Sequence, residues 1–193
     1  MPPPSPNGPA ALDQAARHVL NHRDEDYESG AFRTVYGNDE IVFEGPGYQI
    51  PSITLTRYPF DFYHTDHDTP DRLSEGRLQE AADIAFDICR TMEMDVYLKA
   101  TSAGVPCLSH PRNDLYVPVW DPSLRSQPGR DAARDWNLLM NCLPRYMDGA
   151  TSLLDIAERH GLPIGQVYDY AMRWVEKGLA ELCADGCEKP AIR

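Results

Sequence analysis

The residues of this 193-residue chain that are best suited to chemistry lie in one short stretch, residues 61–71. His64 is followed four positions later by Asp68, and a neutral imidazole is the commonest side-chain ligand of transition metals. A nearby carboxylate can fix the tautomer of such a histidine through a hydrogen bond. On residue types alone, the stretch is more commonly an exposed polar loop whose acids cap the next helix. Both interpretations stay open at this point.

The elements that would position this stretch follow from the spacing of apolar residues. Apolar side chains recur at helical intervals over residues 11–23 and again over 72–94, where Asp71 or Ser74 would cap the helix. Residues 31–36 alternate as a short strand, and the β-branched run 50–56 predicts a buried strand bounded by Gly and Pro. A loop rich in titratable groups directly after a buried strand is where an α/β protein places its site.

The C-terminal part changes character after residue 94. Residues 95–128 are proline-rich with few helical periods, so we predict a linker with short strands at 96–98 and 115–117. Helices are then predicted at 136–146, 152–159 and 164–177, with a strand at 179–182. This order is that of a winged helix-turn-helix.

Charge and composition exclude several classes of function. The formal net charge is -12, with 18 basic residues against 30 acidic ones, which argues against nucleic acid as a partner. Around the third C-terminal helix, acids and bases balance, so we predict packing or partner contact through Leu154, Tyr170 and Trp174 instead of DNA binding. No apolar run approaches the ~20 residues that cross a bilayer, and the N-terminus lacks signal-peptide features. We therefore expect a cytoplasmic protein without a membrane partner.

A resemblance to a known family adds to these observations. The order Tyr63-His64-Thr65-x-x-Asp68-Thr69 resembles the closing motif of the two-zinc aminopeptidases. Upstream, Tyr36-Gly37-Asn38-Asp39-Glu40 and Gly47-Tyr48-Gln49-Ile50-Pro51 resemble the preceding loop and strand of that family. Residues 151–159 resemble the start of the winged helix that ends an uncharacterised bacterial branch of it. Spanning residues 12–182, the resemblance implies an α/β fold with a mixed sheet flanked by helices.

The resemblance also implies roles for particular residues. His64 takes the place of the last zinc ligand, and Asp68 would support it as a hydrogen-bond partner. Asp39 matches an acid that lies close to the metal, and with Arg57 it is predicted to be catalytic. Tyr58 and Tyr63 are predicted to line the substrate pocket, while the other aromatic residues nearby pack the loop and His67 lies on the surface.

The chain departs from the family in one way that decides its predicted role. The earlier zinc ligands of the family precede the position that corresponds to Leu12, so the resemblance implies that they come from elsewhere. A catalytic zinc normally has three protein ligands, which His64 alone cannot supply. The loop over residues 57–64 is also a little shorter than is usual in the family.

We therefore predict three segments: a disordered lead at 1–10, the C-terminal half of an aminopeptidase-like domain with a linker at 11–128, and a winged-helix module at 129–193. The predicted function is that of a subunit in a split zinc-dependent amide hydrolase. A second polypeptide, which carries the N-terminal half of the fold, would share the metal site and the peptide or amide substrate. The alternative is a non-catalytic binding or scaffolding subunit that has lost the metal.

Overall fold

The computed structural model describes residues 10–23, 26–59, 61–117 and 132–183. Its contacts divide the chain between Met92 and Glu93 into two compact units, which we call the N-terminal unit and the C-terminal unit. The sequence places a boundary after residue 128 instead, at a position outside the described residues. The predicted lead also lies outside them, except for Ala10.

The N-terminal unit is built from helices and loops. Its helices are α1 (Ala11–Asn21), α2 (Glu40–Phe43), a 3-10 turn at Pro70–Arg72 and α3 (Glu75–Met94). In α1, Ala15, Ala16 and Val19 recur on one face and are buried, which confirms the helix predicted from that spacing. The carboxylate of Asp13 accepts a hydrogen bond from the backbone N–H of Ala10 at 3.0 Å and fixes the start of the helix.

Helix α3 lies where the sequence predicts a helix, but most of its apolar side chains are not buried. It begins after Ser74, whose carbonyl accepts the N–H of Leu78 at 3.0 Å, as expected of one of the two predicted caps. Its apolar face is largely uncovered: Leu78 is 56% exposed and Phe86 64%, whereas Ile88 is buried. None of the helices in the described ranges has the length and apolar content to cross a membrane.

Two predicted strands are absent from the N-terminal unit. Residues 31–36 form a turn in which the N–H and the hydroxyl of Thr34 both contact the carbonyl of Ala31, at 3.0 and 2.7 Å. Residues 50–56 have no regular secondary structure, and Ile50 and Leu55 are 50% and 42% exposed. The predicted mixed sheet was wrong for the described residues of this unit, since a strand needs a neighbour with which its backbone can pair.

The one sheet of the described residues lies in the C-terminal unit. It contains β1 (Tyr97–Ala100), β2 (Asp148–Ser152) and β3 (Ala180–Cys183) in the antiparallel order β2-β1-β3. Tyr97 lies opposite Ser152 on one side and Cys183 on the other. Strand β1, predicted as a short strand within a linker, is therefore the centre of the sheet, and the chain combines helices with a small antiparallel sheet.

The second strand predicted in the linker is wrong. Residues 115–117 pair with no strand; instead the N–H groups of Leu115 and Tyr116 both donate to the carbonyl of Leu108, at 3.0 and 3.1 Å. Leu115 is fully buried, and its carbonyl accepts the hydroxyl of Tyr170 at 3.0 Å. The stretch is thus a packed loop of the C-terminal unit.

The helices of the C-terminal unit match their predicted positions closely. They are α4 (Ala132–Cys142), which continues into a 3-10 turn at Leu143–Tyr146, α5 (Leu153–His160) and α6 (Ile164–Glu176). Ser152 caps α5, because its hydroxyl accepts the N–H of Asp155 at 3.2 Å. Gly161 ends the helix with a φ of 61°, a left-handed conformation that glycine adopts without steric cost.

The core of the C-terminal unit contains the three side chains to which the sequence assigned packing or partner contact. Leu154, Tyr170 and Trp174 are each 1% exposed, so they pack inside the unit and are not available to a partner. The ring of Trp136 meets that of Tyr170 edge to face, with centroids 5.4 Å apart.

Candidate functional site

His64 lies in a tight turn that is held by the side chain of its neighbour. The N–H and the hydroxyl of Thr65 both donate to the carbonyl of Phe62, at 3.1 and 2.6 Å, and the same hydroxyl accepts the N–H of His67 at 3.2 Å. These bonds hold His64 with a φ of 61°, a left-handed conformation that costs a residue with a Cβ about 1–2 kcal/mol. Such residues occur at binding and catalytic sites and also in ordinary turns, and Arg33, Gln49 and Asp114 have a positive φ as well.

The imidazole of His64 is open to a ligand. It is exposed, and its ring stacks on that of Tyr63 with centroids 3.9 Å apart. Among the described residues, no side chain or backbone group is hydrogen-bonded to its ring nitrogens. The predicted partner Asp68 is exposed and does not contact the ring within the described residues; its N–H donates to the carbonyl of Thr65 at 3.3 Å.

Tyr63 joins the loop of His64 to the loop that precedes α2. A side-chain hydrogen bond links Tyr63 to Tyr36, twenty-seven positions earlier in the chain. That bond, followed by burial and by the nearby charge of Glu40, raises the pKa of the Tyr36 hydroxyl above its ordinary value of 10.0. Tyr63, predicted for the substrate pocket, thus connects the motif of His64 with the motif of Asp39.

Asp39 and Glu40 stand in contrasting surroundings at the start of α2. Asp39, predicted to be catalytic, is exposed and makes no side-chain capping bond. Glu40 is only 8% exposed, and its carboxylate accepts hydrogen bonds from the N–H of Asn38 at 2.6 Å and the hydroxyl of Thr54 at 3.3 Å. Arg33 completes the group with an ion pair at 3.2 Å.

These contacts together lower the pKa of Glu40. Burial by itself would raise the pKa of the carboxyl group, but the N–H groups of Glu40 and Asn38, the charge of Arg33 and the Thr54 hydroxyl outweigh it. The pKa is therefore held below its ordinary value of 4.5, and the group is ionised at neutral pH. Sequence analysis missed Glu40, because its partners Arg33 and Thr54 lie seven and fourteen positions away and form no recognisable spacing.

Arg57 and Tyr58, the other predicted site residues, lie after the segment 50–56. The guanidinium of Arg57 forms an ion pair with Glu80 of α3, which Arg77 also approaches at 3.8 Å. Tyr58 is 77% exposed. His67 is exposed as well, as the sequence predicted, with its ring 3.7 Å from the carboxylate of Asp66.

A pocket of about 510 Å³ opens beside α2. Its wall combines apolar side chains with the polar groups around Glu40, and the lining residues are Leu12, Asn38, Asp39, Glu40, Phe43, Ser52, Ile53, Thr54 and Leu55. Asp39 therefore borders an open depression of the surface, not an enclosed cavity.

The zinc implied by the resemblance can be compared with these residues. Within the described part of the chain, no group of three or more His, Cys, Asp or Glu side chains could hold a metal ion. His64 fits the role of a single ligand, because the residue is exposed and its ring nitrogens have no hydrogen-bond partner there. The remaining ligands of a zinc site would have to come from outside the described residues.

Comparison with known proteins gives two matches. A family model described as a domain of unknown function, DUF4910, matches residues 3–95. No curated protein is similar in sequence to the chain. Among solved structures, the chain is similar to the crystal structure of a protein from Clostridium acetobutylicum described as a "putative peptidase", with a TM-score of 0.70 and 22% identity. The match covers 92% of this chain but 37% of the other, so the chain has the fold of little more than a third of that protein.

Proposed function

We propose that this chain is a subunit of a split zinc-dependent amide hydrolase with an aminopeptidase-like fold. It supplies His64 to a metal site that a partner polypeptide completes. The observation that carries the proposal is the likeness of this chain to part of a solved protein. Nearly all of this chain is similar to a small part of a protein described as a "putative peptidase", at a TM-score of 0.70. In this proposal, a second polypeptide supplies the part of that fold for which this chain has no counterpart.

The surroundings of His64 support its role as a ligand. An imidazole that is exposed and held by a strained turn can bind a metal without first breaking a hydrogen bond. Zinc bound by His64 and by ligands of the partner supplies a Lewis acid and a water of lowered pKa at neutral pH. Tyr63 keeps the ring of His64 in place by stacking and is in turn held by Tyr36.

Other residues of the N-terminal unit receive roles in the same proposal. Asp39 is an exposed carboxylate at the edge of the pocket and can accept a proton there. Arg57 is oriented by its ion pair with Glu80 and presents a fixed positive charge. Tyr58 and Tyr63 contribute aromatic surface to the substrate side of the site.

The C-terminal unit is proposed to be a winged helix-turn-helix with a structural role. Helices α5 and α6 are joined by a short turn and followed by β3, as in that motif. The exposed charged residues of α6 are Asp169 and Glu176, and Lys177 lies directly after the helix. They give no positive stripe for a phosphate backbone. We expect no binding to random duplex DNA in a fluorescence titration; salt-sensitive binding would contradict this assignment.

Metal analysis of the assembled complex tests the proposal. The chain is to be co-purified with the polypeptide of the same genome that carries the rest of the fold, as wild type and as His64→Ala. His64→Ala should lose its zinc and its peptidase activity while the complex still assembles, because an exposed loop residue contributes little to packing. His67→Ala is the matched control, since it removes an exposed histidine of the same loop and should leave the zinc in place.

A weaker effect is expected at Asp68. In the complex, Asp68→Asn should reduce zinc affinity or turnover by about 10- to 100-fold, as expected of a residue that orients a ligand. Equal zinc content in wild type and His64→Ala would remove His64 from the site. A complex that assembles without zinc and without activity would favour the scaffolding subunit instead.

A further inference from the structure

Two histidines lie about one turn apart at the C-terminal end of α1. His18 belongs to the last turn of the helix, and His22 is the residue that ends it. Residues four positions apart lie on the same face of a helix. Their rings are correspondingly close, with centroids 4.3 Å apart and planes inclined by 41°. His18 is 2% exposed and His22 is half-buried, so the N-terminal unit partly encloses the pair.

The hydrogen bond of His22 determines which of its ring nitrogens carries the proton. Its Nδ1 lies 2.9 Å from the carbonyl oxygen of His18. A carbonyl oxygen only accepts hydrogen bonds, so Nδ1 is protonated and donates. In the neutral ring, Nε2 then carries a lone pair. Histidines that bind metals are usually held in this way, with the other ring N–H donated to a backbone carbonyl or a carboxylate.

The lone pair of His22 has no donor to accept from within the described part of the chain. Its Nε2 is shielded from solvent and makes no hydrogen bond there. Buried polar atoms are normally paired, so this nitrogen needs a partner. A transition metal ion is one that fits, because neutral imidazole is its commonest side-chain ligand. A buried water is the alternative partner.

The neighbouring ring of His18 supplies a second ligand. One ring nitrogen is enough to bind a metal, and the other can keep a hydrogen bond, as is usual for ligating histidines. Two histidines at this helical spacing can bind one zinc ion, with each nitrogen about 2.0–2.1 Å from the metal. Val19 follows His18 at the position where a catalytic site with this spacing has a glutamate. The pair therefore points to binding and not to catalysis.

The electrostatic surroundings of His22 favour a cation. The C-terminal end of a helix carries a partial negative charge, and His22 lies at that end of α1. The next residue, Arg23, forms an ion pair with Asp87 of α3 at 3.3 Å. This ion pair offsets the repulsion that the guanidinium would exert on a metal ion.

We propose that His18 and His22 bind one divalent transition metal ion, such as zinc, at the C-terminal end of α1. The site uses residues other than His64, so the inference does not rest on the proposed function. Two imidazoles leave the remaining coordination positions to water, so the ion is bound more weakly than in a site with three or four protein ligands. The ion joins two residues of α1 and thereby stabilises its last turn.

Zinc titration of the full chain, prepared without a polyhistidine tag, tests the proposal. Competition with a chelating dye gives the dissociation constant, and amide exchange locates the effect. At a free zinc concentration ten times the dissociation constant, exchange at Leu20 and Asn21 should slow by about tenfold, because the ion binds only the folded turn. Magnesium should have no such effect, since it prefers oxygen ligands. Exchange that does not respond to bound zinc would overturn the proposal and leave water as the partner of His22.

Variants assign the binding to this pair. His22→Gln should weaken zinc binding by at least about tenfold, because a second ligand held in place acts at a high effective concentration. It is preferred to His18→Gln, since replacing the half-buried ring disturbs packing less than replacing the buried one. His64→Gln and His67→Gln are the matched controls and should leave the affinity unchanged. Full affinity in His22→Gln would overturn the proposal, as would an equal loss in either control.

Discussion

The two units of this chain differ in how far their apolar side chains are exposed to solvent. Of the twenty large hydrophobic side chains that are exposed among the described residues, sixteen lie in the N-terminal unit and four in the C-terminal unit. Of the twenty-three hydrophobic residues that are buried in the same described ranges, nineteen belong to the C-terminal unit. The C-terminal unit therefore has a core of its own, with Trp174, Tyr170 and Leu154 at its centre. The N-terminal unit has the apolar residues of a core and leaves most of them uncovered.

This contrast favours the N-terminal unit as the place of the proposed contact with a partner. Monomeric proteins rarely expose large contiguous apolar surfaces, and those that do usually bind a partner there. In the N-terminal unit, the exposed apolar residues accompany an exposed histidine, His64, whose ring nitrogens have no hydrogen-bond partner among the described residues. In the C-terminal unit, backbone groups at the ends of α5 are hydrogen-bonded by helix caps, and the three strands pair with one another in one sheet.

This difference in exposure predicts that a Leu→Ala substitution reduces the free energy of unfolding much more in the C-terminal unit than in the N-terminal unit. Leu154→Ala in the C-terminal unit should reduce the free energy of unfolding by about 2–5 kcal/mol, since Leu154 is 1% exposed and its removal leaves a cavity. Leu78→Ala in α3, where the side chain is 56% exposed, should change it by less than about 0.5 kcal/mol. Denaturant titration of both variants is the measurement. A similar loss in both would mean that α3 is covered in solution and that the comparison fails.

The sequence predicted those parts of the fold that depend on neighbouring residues. Helix α5 could be located because its signals, the cap Ser152 and the terminal Gly161, lie within one turn of it. Residues 50–56 were predicted to form a strand but have no regular secondary structure. A strand needs a neighbouring strand with which its backbone can pair, and the described residues of the N-terminal unit do not provide one. The buried group around Glu40 and the bond between Tyr36 and Tyr63 join residues far apart in sequence, so no local pattern indicates them.

Self-association of the isolated chain should depend on the N-terminal unit. Replacing Leu78 and Phe86 together by Gln should raise the dissociation constant for self-association at least tenfold, because each buried side chain contributes about 1.5–3 kcal/mol. The matched control is Leu138→Gln with Leu182→Gln, at exposed positions of the C-terminal unit, which should have little effect. Sedimentation at micromolar concentration distinguishes them. A wild-type chain that is monodisperse and monomeric there would contradict the need for a partner.

Helix caps offer a smaller test of the same comparison. Ser152→Ala should destabilise the C-terminal unit by about 1 kcal/mol, because the N–H of Asp155 loses its acceptor. Asp39→Ala, at the corresponding position of α2, should cost no more than a few tenths of a kcal/mol, since Asp39 makes no side-chain capping bond. Thermal unfolding of the two variants checks this. A larger loss for Asp39→Ala would show that α2 is capped in solution.

The smallest expected effect is a difference in how acid acts on the two units. Burial lowers the pKa of His160 in the C-terminal unit below 6.5, although the charge of Asp135 opposes the shift. The unfolded chain therefore takes up a proton at this position before the folded chain does. Stability that His160 contributes at neutral pH is lost as the pH falls below about 6.5 toward the lowered folded value.

Glu40 has the same sign of shift in a lower range of pH. Its folded pKa is below 4.5, so its contribution to the N-terminal unit is complete above that value and is lost as the pH falls further. Trp136 and Trp174 are buried in the C-terminal unit, so their fluorescence follows that unit, while amide exchange of α1 follows the other unit. His160→Asn should flatten the loss of fluorescence-detected stability that begins near pH 6.5, and Glu40→Gln should flatten the loss in α1 below pH 4.5. Both units could instead lose stability over the same range of pH, with neither variant changing that loss. Protonation of His160 and Glu40 would then not explain the difference between the units.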